Sequence, residues 1–126
     1  MKWNGLIKAL IIIGLTFSIA HAAQAEEEFA ELNSDVVKIL DILQNETVYD
    51  GKYVVIEGKI DTECPSGCWF ILNDGTATLY VDILPSNFAI PQKKGSNAKV
   101  YGEVTTREDD PIMIGKMVEI GGAIYQ

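Results

Sequence analysis

The chain has 126 residues, of which 18 are acidic and 10 basic, so its formal net charge at pH 7 is −8. It contains one histidine, His21, and two cysteines. A negative chain is repelled at long range by the phosphates of nucleic acids, so the composition opposes nucleic-acid binding.

The first 25 residues have the features of a secretory signal peptide. Two lysines are followed by an apolar stretch over about residues 9–20, and the residues Ala-Gln-Ala at 23–25 match the A-x-A cleavage pattern. This predicts cleavage before Glu26. The apolar stretch is shorter than the roughly 20 residues that a membrane span needs. We therefore predict export, to the periplasm first and otherwise outside the cell, with no membrane span retained.

Removal of residues 1–25 would leave 101 residues with a net charge of −10. His21 would leave with them, so the exported chain would contain no histidine. Without histidine there is no Ser-His-Asp or Cys-His catalytic arrangement, and no zinc site that needs a histidine ligand. The sequence therefore predicts a small single-domain protein that is not an enzyme.

The first residues of the exported chain predict an amphipathic helix. Apolar residues recur at helical spacing over residues 29–43, with acidic residues between them. Asn33 or Ser34 is the expected cap of a helix over residues 35–44. Since one of its faces is apolar, residues 26–49 are interpreted as a helical segment packed on the rest of the domain.

After Asp50 the hydrophobic period changes from 3.6 to 2, which indicates strands. Gly58 inside the first strand suggests a bulge or a sharp bend. The residues Asn-Asp-Gly at 73–75 are typical of a hairpin turn. Residues 85–96 contain two prolines and a glycine and break the pattern, with a short helix expected around residues 86–89. The five predicted strands are residues 52–61, 68–73, 76–84, 98–106 and 111–120.

The order of three strands, a connector and two strands is that of the OB-fold, a five-stranded Greek-key barrel. The predicted fold class is thus mainly β, an OB-fold barrel over residues 50–126 with an added N-terminal amphipathic helix. An SH3-like barrel and a plain five-stranded meander are the alternatives, and neither explains the long connector as naturally.

Three motifs resemble those of an uncharacterised group of secreted bacterial OB-fold proteins. They are V-x-V-x-G-x-V at residues 54–60, Gly-Cys-Trp at residues 67–69 and a later G-x-V at residues 102–104. The resemblance spans about residues 33–122. The chain is more distantly similar to periplasmic bacterial OB-fold stress proteins and to tRNA-anticodon-binding-like OB domains. The resemblance implies the fold and no particular biochemical activity.

Cys64 and Cys68 enclose a loop that is open to three interpretations. Residues 65–67 are Pro-Ser-Gly, typical of a hairpin loop, and strand ends that face each other have Cα atoms about 4.5 to 5.5 Å apart, within the range of a disulfide. An oxidising compartment favours a Cys64–Cys68 disulfide, which is the leading interpretation. A reactive dithiol is a weaker one, since Asp61 and Glu63 are expected to raise the thiol pKa.

The third interpretation is a copper(I) site, although the leading prediction includes no cofactor. Met113 and Met117 are four residues apart on the last predicted strand, and even spacing would place both on one face. Thiolate and thioether ligands together suit copper(I). In the alternative without copper, the methionines are space-filling residues of the barrel. The ligands of this predicted copper site are Cys64, Cys68, Met113 and Met117.

The usual ligand face of an OB-fold lies on strands two and three. We expect a small molecule, a glycan, a peptide or a periplasmic partner protein to bind there, close to the cysteine loop. The predicted ligand-binding residues are Trp69, Tyr80 and Tyr101, whose rings offer stacking faces. A nucleic-acid-binding OB domain is the second alternative function. The lysines that would contact phosphates in that alternative are Lys93, Lys94 and Lys99.

Overall fold

A computed structural model of the protein describes residues 31–126. The predicted signal peptide and its cleavage site lie outside these residues, and the division of the chain at residues 25 and 49 stays a prediction. No helix within residues 31–126 is long and apolar enough to cross a membrane. The described elements are helices α1 (Ile39–Gln44) and α2 (Glu46–Tyr49), strands β1 (Tyr53–Glu63), β2 (Trp69–Asn73), β3 (Thr78–Asp82), β4 (Asn97–Arg107), β5 (Asp110–Ile120) and β6 (Ala123–Tyr125), and a 3₁₀ helix at Leu84–Ser86 between β3 and β4.

The strands form a closed barrel with the order β3-β2-β1-β4-β5, and β6 is added beside β5. Consecutive neighbours in this order are antiparallel. The barrel is closed by a parallel pairing of β3 with β5, in which Val81 lies opposite Met113. The predicted OB-fold is therefore confirmed. Strand β6 was not predicted, and the short helix lies at Leu84–Ser86 rather than at residues 86–89.

Strand β1 changes partners along its length. It pairs with β4 from Tyr53 to Lys59 and with β2 from Lys59 to Glu63. A Cβ atom on Gly58 would collide with the backbone carbonyl of Asn73, so only glycine allows the close approach of the two strands. The irregularity predicted at Gly58 is observed slightly later in the strand, as a register shift between Ile60 and Thr62.

The barrel interior is filled by the inward side chains of the strands and by the apolar face of α1. Ile39 and Ile42 of α1 are fully buried in the same cluster as Ile56 and Phe70. Burial of one such side chain stabilises the fold by about 1.5 to 3 kcal/mol. Helix α1 thus packs on the barrel as expected. The buried core residues that the strands contribute are Ile56, Ile60, Phe70, Leu72, Leu79, Val81, Ala98, Val100, Val104, Met113, Val118 and Ile120.

The predicted first turn of the helix is wrong, because α1 begins at Ile39 rather than near residue 35. Val36 instead forms a parallel bridge with Val55, and the Val37 N–H donates to the Val55 carbonyl at 2.8 Å. This part of β1 lies before its pairing with β2, so its edge has unpaired backbone groups. The segment at Val36 and Val37 pairs with this edge in an extended conformation, which suits β-branched residues and satisfies the backbone groups. This pairing overrides the helical period of the local sequence.

The first turn of α1 is capped by the β2–β3 hairpin. Asp74 Oδ2 accepts the Ile39 N–H at 2.8 Å, and Thr76 Oγ1 accepts the Leu40 N–H at 3.2 Å. Burial alone would raise the pKa of Asp74, but hydrogen bonds from Thr76, Ile39 and Ala77 outweigh it and hold the pKa below its ordinary value. The cap predicted at Asn33 or Ser34 is thus replaced by a carboxylate that is distant in sequence.

Candidate ligand-binding face

Strands β2 and β3 present alternate residues to the barrel interior and to the outer surface. Leu72 and Leu79 point inward and are buried, which leaves Trp69 and Tyr80 half-buried on the outer face. The rings of Trp69 and Tyr80 stack with centroids 5.4 Å apart and planes at 25°. We call this pair the aromatic platform. It unites two of the three predicted ligand-binding residues on the predicted strands.

A buried ion pair adjoins the platform. Asp82 lies directly opposite Trp69 in the β2–β3 register. Its Oδ1 accepts the Leu84 N–H at 3.0 Å, and its Oδ2 accepts a hydrogen bond from Arg107 Nη2 at 2.7 Å. The Asp82 side chain is 10% exposed and that of Arg107 is 47% exposed. The hydrogen bond to Asp82 raises the pKa of Arg107, so the guanidinium stays charged at every ordinary pH.

Sequence reasoning missed this pair, because Asp82 and Arg107 are 25 residues apart and Arg107 lies just beyond the predicted fourth strand. One signal was present in the composition. Arg107 is the only arginine of the chain, whose other basic residues are lysines. An arginine differs from lysine in its planar fork of donors, which suits a fixed carboxylate.

The pKa of Tyr80 depends on the charged groups around the aromatic platform. Its pKa is raised first by burial and then by the charge of Asp82, while Arg107 opposes the increase. The two cysteines also act on it. The phenol is therefore a neutral hydroxyl at physiological pH. The ion pair and the two cysteines are therefore close enough to Tyr80 to influence its pKa.

The cysteine loop, residues 64–68, is held against the connector between β3 and β4. The Gly67 N–H donates to the Cys64 carbonyl at 2.9 Å, and the Ile90 N–H donates to the Gly67 carbonyl at 3.1 Å. Gly67 has φ +75°, and a Cβ atom there would collide with the Ile90 carbonyl. Glycine is needed at this position both for its left-handed conformation and for the close contact.

Both cysteines are free thiols in the structure, and their sulfur atoms lie 2.6 Å apart. Ser66 Oγ lies 3.1 Å from Cys64 Sγ and 3.6 Å from Cys68 Sγ. The hydrogen bond from Cys68, followed by that from Ser66, lowers the pKa of Cys64 to about 6. This is opposite to the increase expected from the neighbouring acidic residues.

The two acidic residues next to the cysteine loop are occupied elsewhere. The Glu63 carboxylate accepts the backbone N–H groups of Lys93 and Lys94, each at 2.9 Å. Asp61 Oδ2 accepts a hydrogen bond from the Asn73 amide at 2.9 Å. Hydrogen bonds to the thiol therefore decide the Cys64 pKa, and the sequence could not show them.

A cleft of about 380 Å³ opens beside the loop. Leu84, 68% exposed, and Phe88 give it an apolar character, and Cys68 forms part of its wall. The residues that line it are Ser66, Cys68, Leu84, Asn87, Phe88 and Ala89. An apolar side chain or ring could enter this cleft from the edge of the platform.

Tyr101, the third predicted ligand-binding residue, lies elsewhere. Its ring stacks on Tyr53, with centroids 5.7 Å apart, on the outer face of β1 and β4. A hydrogen bond to Glu103 and the negative charge of that residue raise the pKa of Tyr53. The three aromatic residues therefore do not form a single surface.

A bulge in β5 places Met113 and Met117 on opposite faces, so the prediction of a shared face is wrong. Tyr101 pairs with Met117 and the next residue, Gly102, pairs with Gly115, which leaves Lys116 as the extra residue. One added residue reverses the alternation of a strand. Met113 is buried in the barrel core, whereas Met117 is buried on the opposite side of the sheet, where it pairs with Tyr101. The copper alternative thus loses the geometric argument for its two thioether ligands.

Residues 31–126 contain no group of three or more histidine, cysteine, aspartate or glutamate side chains placed to hold a metal ion. The lysines of the nucleic-acid alternative lie in different surroundings. Lys93 and Lys94 belong to the connector, while Lys99 is in β4 with Glu57 and Glu119 opposite it on the two neighbouring strands. Acidic neighbours weaken the attraction of Lys99 for a phosphate.

No protein-family model matches the sequence, and no curated protein matches it either. Solved structures do match. The hypothetical protein YgiW from E. coli is 18% identical with a TM-score of 0.54, over 70% of this chain and 91% of that chain. Asparaginyl-tRNA synthetase from Pyrococcus horikoshii, complexed with asparaginyl-adenylate, is 17% identical with a TM-score of 0.59, over 71% of this chain and 23% of that chain.

At these identities the similarity concerns the fold alone. It agrees with the OB-fold barrel described above. The matched part of the synthetase is its OB domain, a small fraction of that enzyme. The chain is an OB-fold barrel that resembles YgiW and the OB domain of asparaginyl-tRNA synthetase.

Proposed function

We propose that the protein is an exported binding module, rather than an enzyme, whose ligand stacks on the aromatic platform. The observation that carries this proposal is the stacking of two half-buried rings, Trp69 and Tyr80, on the outer face of β2 and β3. The two half-buried rings offer apolar faces and edges to a planar group or a sugar ring. The ligand is a small molecule, a glycan, a peptide or a partner protein that presents such a group.

The surroundings of the platform support a ligand larger than one ring. The cleft beside Cys68 begins where the platform ends, and Leu84 exposes 68% of its surface there. Exposed apolar surface next to stacked aromatic rings is typical of binding sites. A ligand could therefore place one group on Trp69 and a second, apolar group against Leu84 and Phe88.

The cysteine loop sets the position of Trp69. We propose that the exported protein contains a Cys64–Cys68 disulfide. The two sulfur atoms are already in contact, and the loop backbone is held by hydrogen bonds at Cys64 and Gly67. Formation of the bond releases two protons and passes two electrons to a disulfide-bearing oxidant of the exporting compartment. Because the enclosed loop is short, the main effect is to fix the loop that precedes Trp69.

The binding proposal is tested with small probes and ligand-detected NMR on residues 26–126. Benzamide represents a planar ring and methyl glucoside a sugar. We expect saturation transfer to at least one of them, lost in Trp69→Ala and retained in Tyr101→Ala. Tyr101 is the matched control, since it is also stacked on a second ring but lies on β4. Equal transfer in Trp69→Ala and the unchanged protein would contradict the proposal.

The disulfide is tested by counting thiols in the exported, unreduced protein, where we expect none. Two free thiols would overturn the disulfide without affecting the binding proposal. On the reduced protein, the alkylation rate of Cys64 should rise with a midpoint near pH 6, its lowered pKa. Ser66→Ala removes one hydrogen bond to the thiolate, so it should move that midpoint to higher pH. Ser86→Ala, a serine that donates to Gly115, is the control.

Copper(I) handling and nucleic-acid binding are the alternative functions, and each now has less support. The β5 bulge separates Met113 from Met117, so at most one of them can join the cysteines on a given side. Acidic residues face Lys99 from both neighbouring strands. A binding module for a small ligand needs neither clustered thioether ligands nor a basic surface.

A further inference from the structure

Arg107 is held beside the aromatic platform by a buried carboxylate. The chain of contacts is short, because Asp82 lies opposite Trp69 in the register and binds Arg107 Nη2 at 2.7 Å. Asp82 is almost inaccessible to solvent, while nearly half of the Arg107 side chain is exposed. The carboxylate therefore fixes a guanidinium that a bound molecule can still reach.

An arginine in this position has spare hydrogen-bonding capacity. The guanidinium carries five N–H donors in a planar fork, and Asp82 is bound through one nitrogen, Nη2. Such a fork recognises carboxylates and phosphates in a defined geometry. Because Asp82 restrains the fork before any ligand arrives, less conformational entropy is lost on binding.

The charge of the surroundings limits how many negative groups a ligand can bring. Glu108, Asp109 and Asp110 follow Arg107 directly, and the whole chain has a net charge of −8. A polyanion would meet this repulsion along its length. A single anionic group can approach Arg107 within hydrogen-bonding distance and so gain a short-range attraction. Its repulsion from exposed acidic residues more than a Debye length of about 8 Å away is largely screened by salt.

We infer that the ligand of the platform is a small molecule with a planar ring and one anionic group, a carboxylate or a phosphate, which Arg107 binds while the ring stacks on Trp69 and Tyr80. This inference rests on the binding function proposed above and specifies its ligand class. Arg107 is then a binding residue, and Asp82 is a positioning residue that acts through it.

The test compares matched probes on residues 26–126 at physiological ionic strength, where the Debye length is about 8 Å. Benzoate and benzamide have the same ring and nearly the same shape, but only benzoate is charged, and phenyl phosphate supplies the second kind of anion. We expect benzoate or phenyl phosphate to bind about tenfold more tightly than benzamide, the increase typical of a charge-assisted hydrogen bond. The probe that shows the larger preference identifies the anion.

Arg107→Met should abolish this preference, so that the ratio of the benzoate affinity to the benzamide affinity falls to about one. Arg107→Lys, which keeps the charge but not the fork, should retain part of it. Lys99→Met is the matched control, because Lys99 is a cation on the outer face of the same strand, and it should change nothing. If Arg107→Met does not fold, the double variant Asp82→Asn with Arg107→Met is used in its place, because it also removes the buried carboxylate charge.

The outcomes separate this inference from the proposed function. Equal affinities for benzoate, phenyl phosphate and benzamide would overturn the anionic ligand and leave ring binding intact. A preference for anions that survives in Arg107→Met would also overturn it. If none of the probes binds the unchanged protein, both the inference and the proposed ring-binding site are wrong.

Discussion

Strands β2 and β3 have a cleft of about 380 Å³ at each end, yet the two ends differ in what they leave accessible. At the Asn73 end, the polar groups of the hairpin bind within the protein. Asp74 accepts hydrogen bonds from Ile39, Thr76 and Ala77, and the Asn73 side chain binds Asp61 and Gly75. This end attaches the hairpin to α1.

At the Trp69 end, the side chains remain accessible to a ligand. Two stacked rings are half-buried, Arg107 is half-exposed, and Leu84 is largely exposed. Cleft volume therefore does not distinguish the two ends. Lys59 is an exposed cation at the Asn73 end, so a cation alone does not distinguish the ends either. Only the Trp69 end combines a cation with stacked aromatic rings.

The largest effect is expected from Gly67→Ala at the Trp69 end. The new Cβ would require a left-handed conformation and would collide with the Ile90 carbonyl, which cannot move independently of the backbone. We expect the free energy of unfolding to fall by about 2 to 4 kcal/mol, measured by urea denaturation, together with loss of benzamide binding.

Gly75→Ala is the matched control at the opposite end. Gly75 has φ +88°, but a Cβ added there would meet nothing within 4 Å, so only the conformational penalty of about 1 to 2 kcal/mol remains. Benzamide binding should be unchanged. An equal loss of stability in both variants would show that the contact between the cysteine loop and the connector contributes little.

A smaller effect is expected from Asp74→Ala, which removes the cap of α1. Loss of such a cap costs about 1 to 2 kcal/mol at neutral pH, with no change in ring binding. The pKa of Asp74 is lowered in the folded state, so its contribution is present above the ordinary value of 3.8 and is lost as the pH falls through the lower folded pKa.

The pH dependence can be checked against Asp74→Asn, which cannot ionise. The difference in unfolding free energy between the unchanged protein and this variant should decrease below pH 3.8, the ordinary pKa of the group. A difference that persists unchanged in stronger acid would mean that the charge of Asp74 has no part in the cap. Loss of probe binding in either variant would contradict the separation of the two ends.

The smallest effect is expected at the β4–β5 turn that follows Arg107. Glu108 and Asp109 both have positive φ, 51° and 67°, in a two-residue hairpin loop that favours Asn-Gly. The double variant Glu108→Asn with Asp109→Gly should gain about 0.5 to 1 kcal/mol in the free energy of unfolding. It also removes two carboxylates beside Arg107, so the preference for benzoate should increase. A decrease would contradict the placement of the anion there.

Several features of this protein followed from sequence patterns alone. Period-2 alternation and the long connector predicted the OB barrel, and Gly58 indicated an irregularity in β1, because strand geometry and glycine conformations are local properties. Trp69 and Tyr80 could be assigned to the second and third strands for the same reason. That they form a ligand face stays a prediction.

The features that single out the candidate site depended on the tertiary structure. One extra residue, Lys116, reverses the alternation in β5, and a local hydrophobic pattern cannot show which residue a partner strand skips. The Asp82–Arg107 pair and the Asp74 cap join residues 25 and 35 positions apart, which meet only after the barrel closes. The sequence by itself determined the barrel and its aromatic residues. Closure of the barrel decided which of those residues stack together and which charge lies beside them.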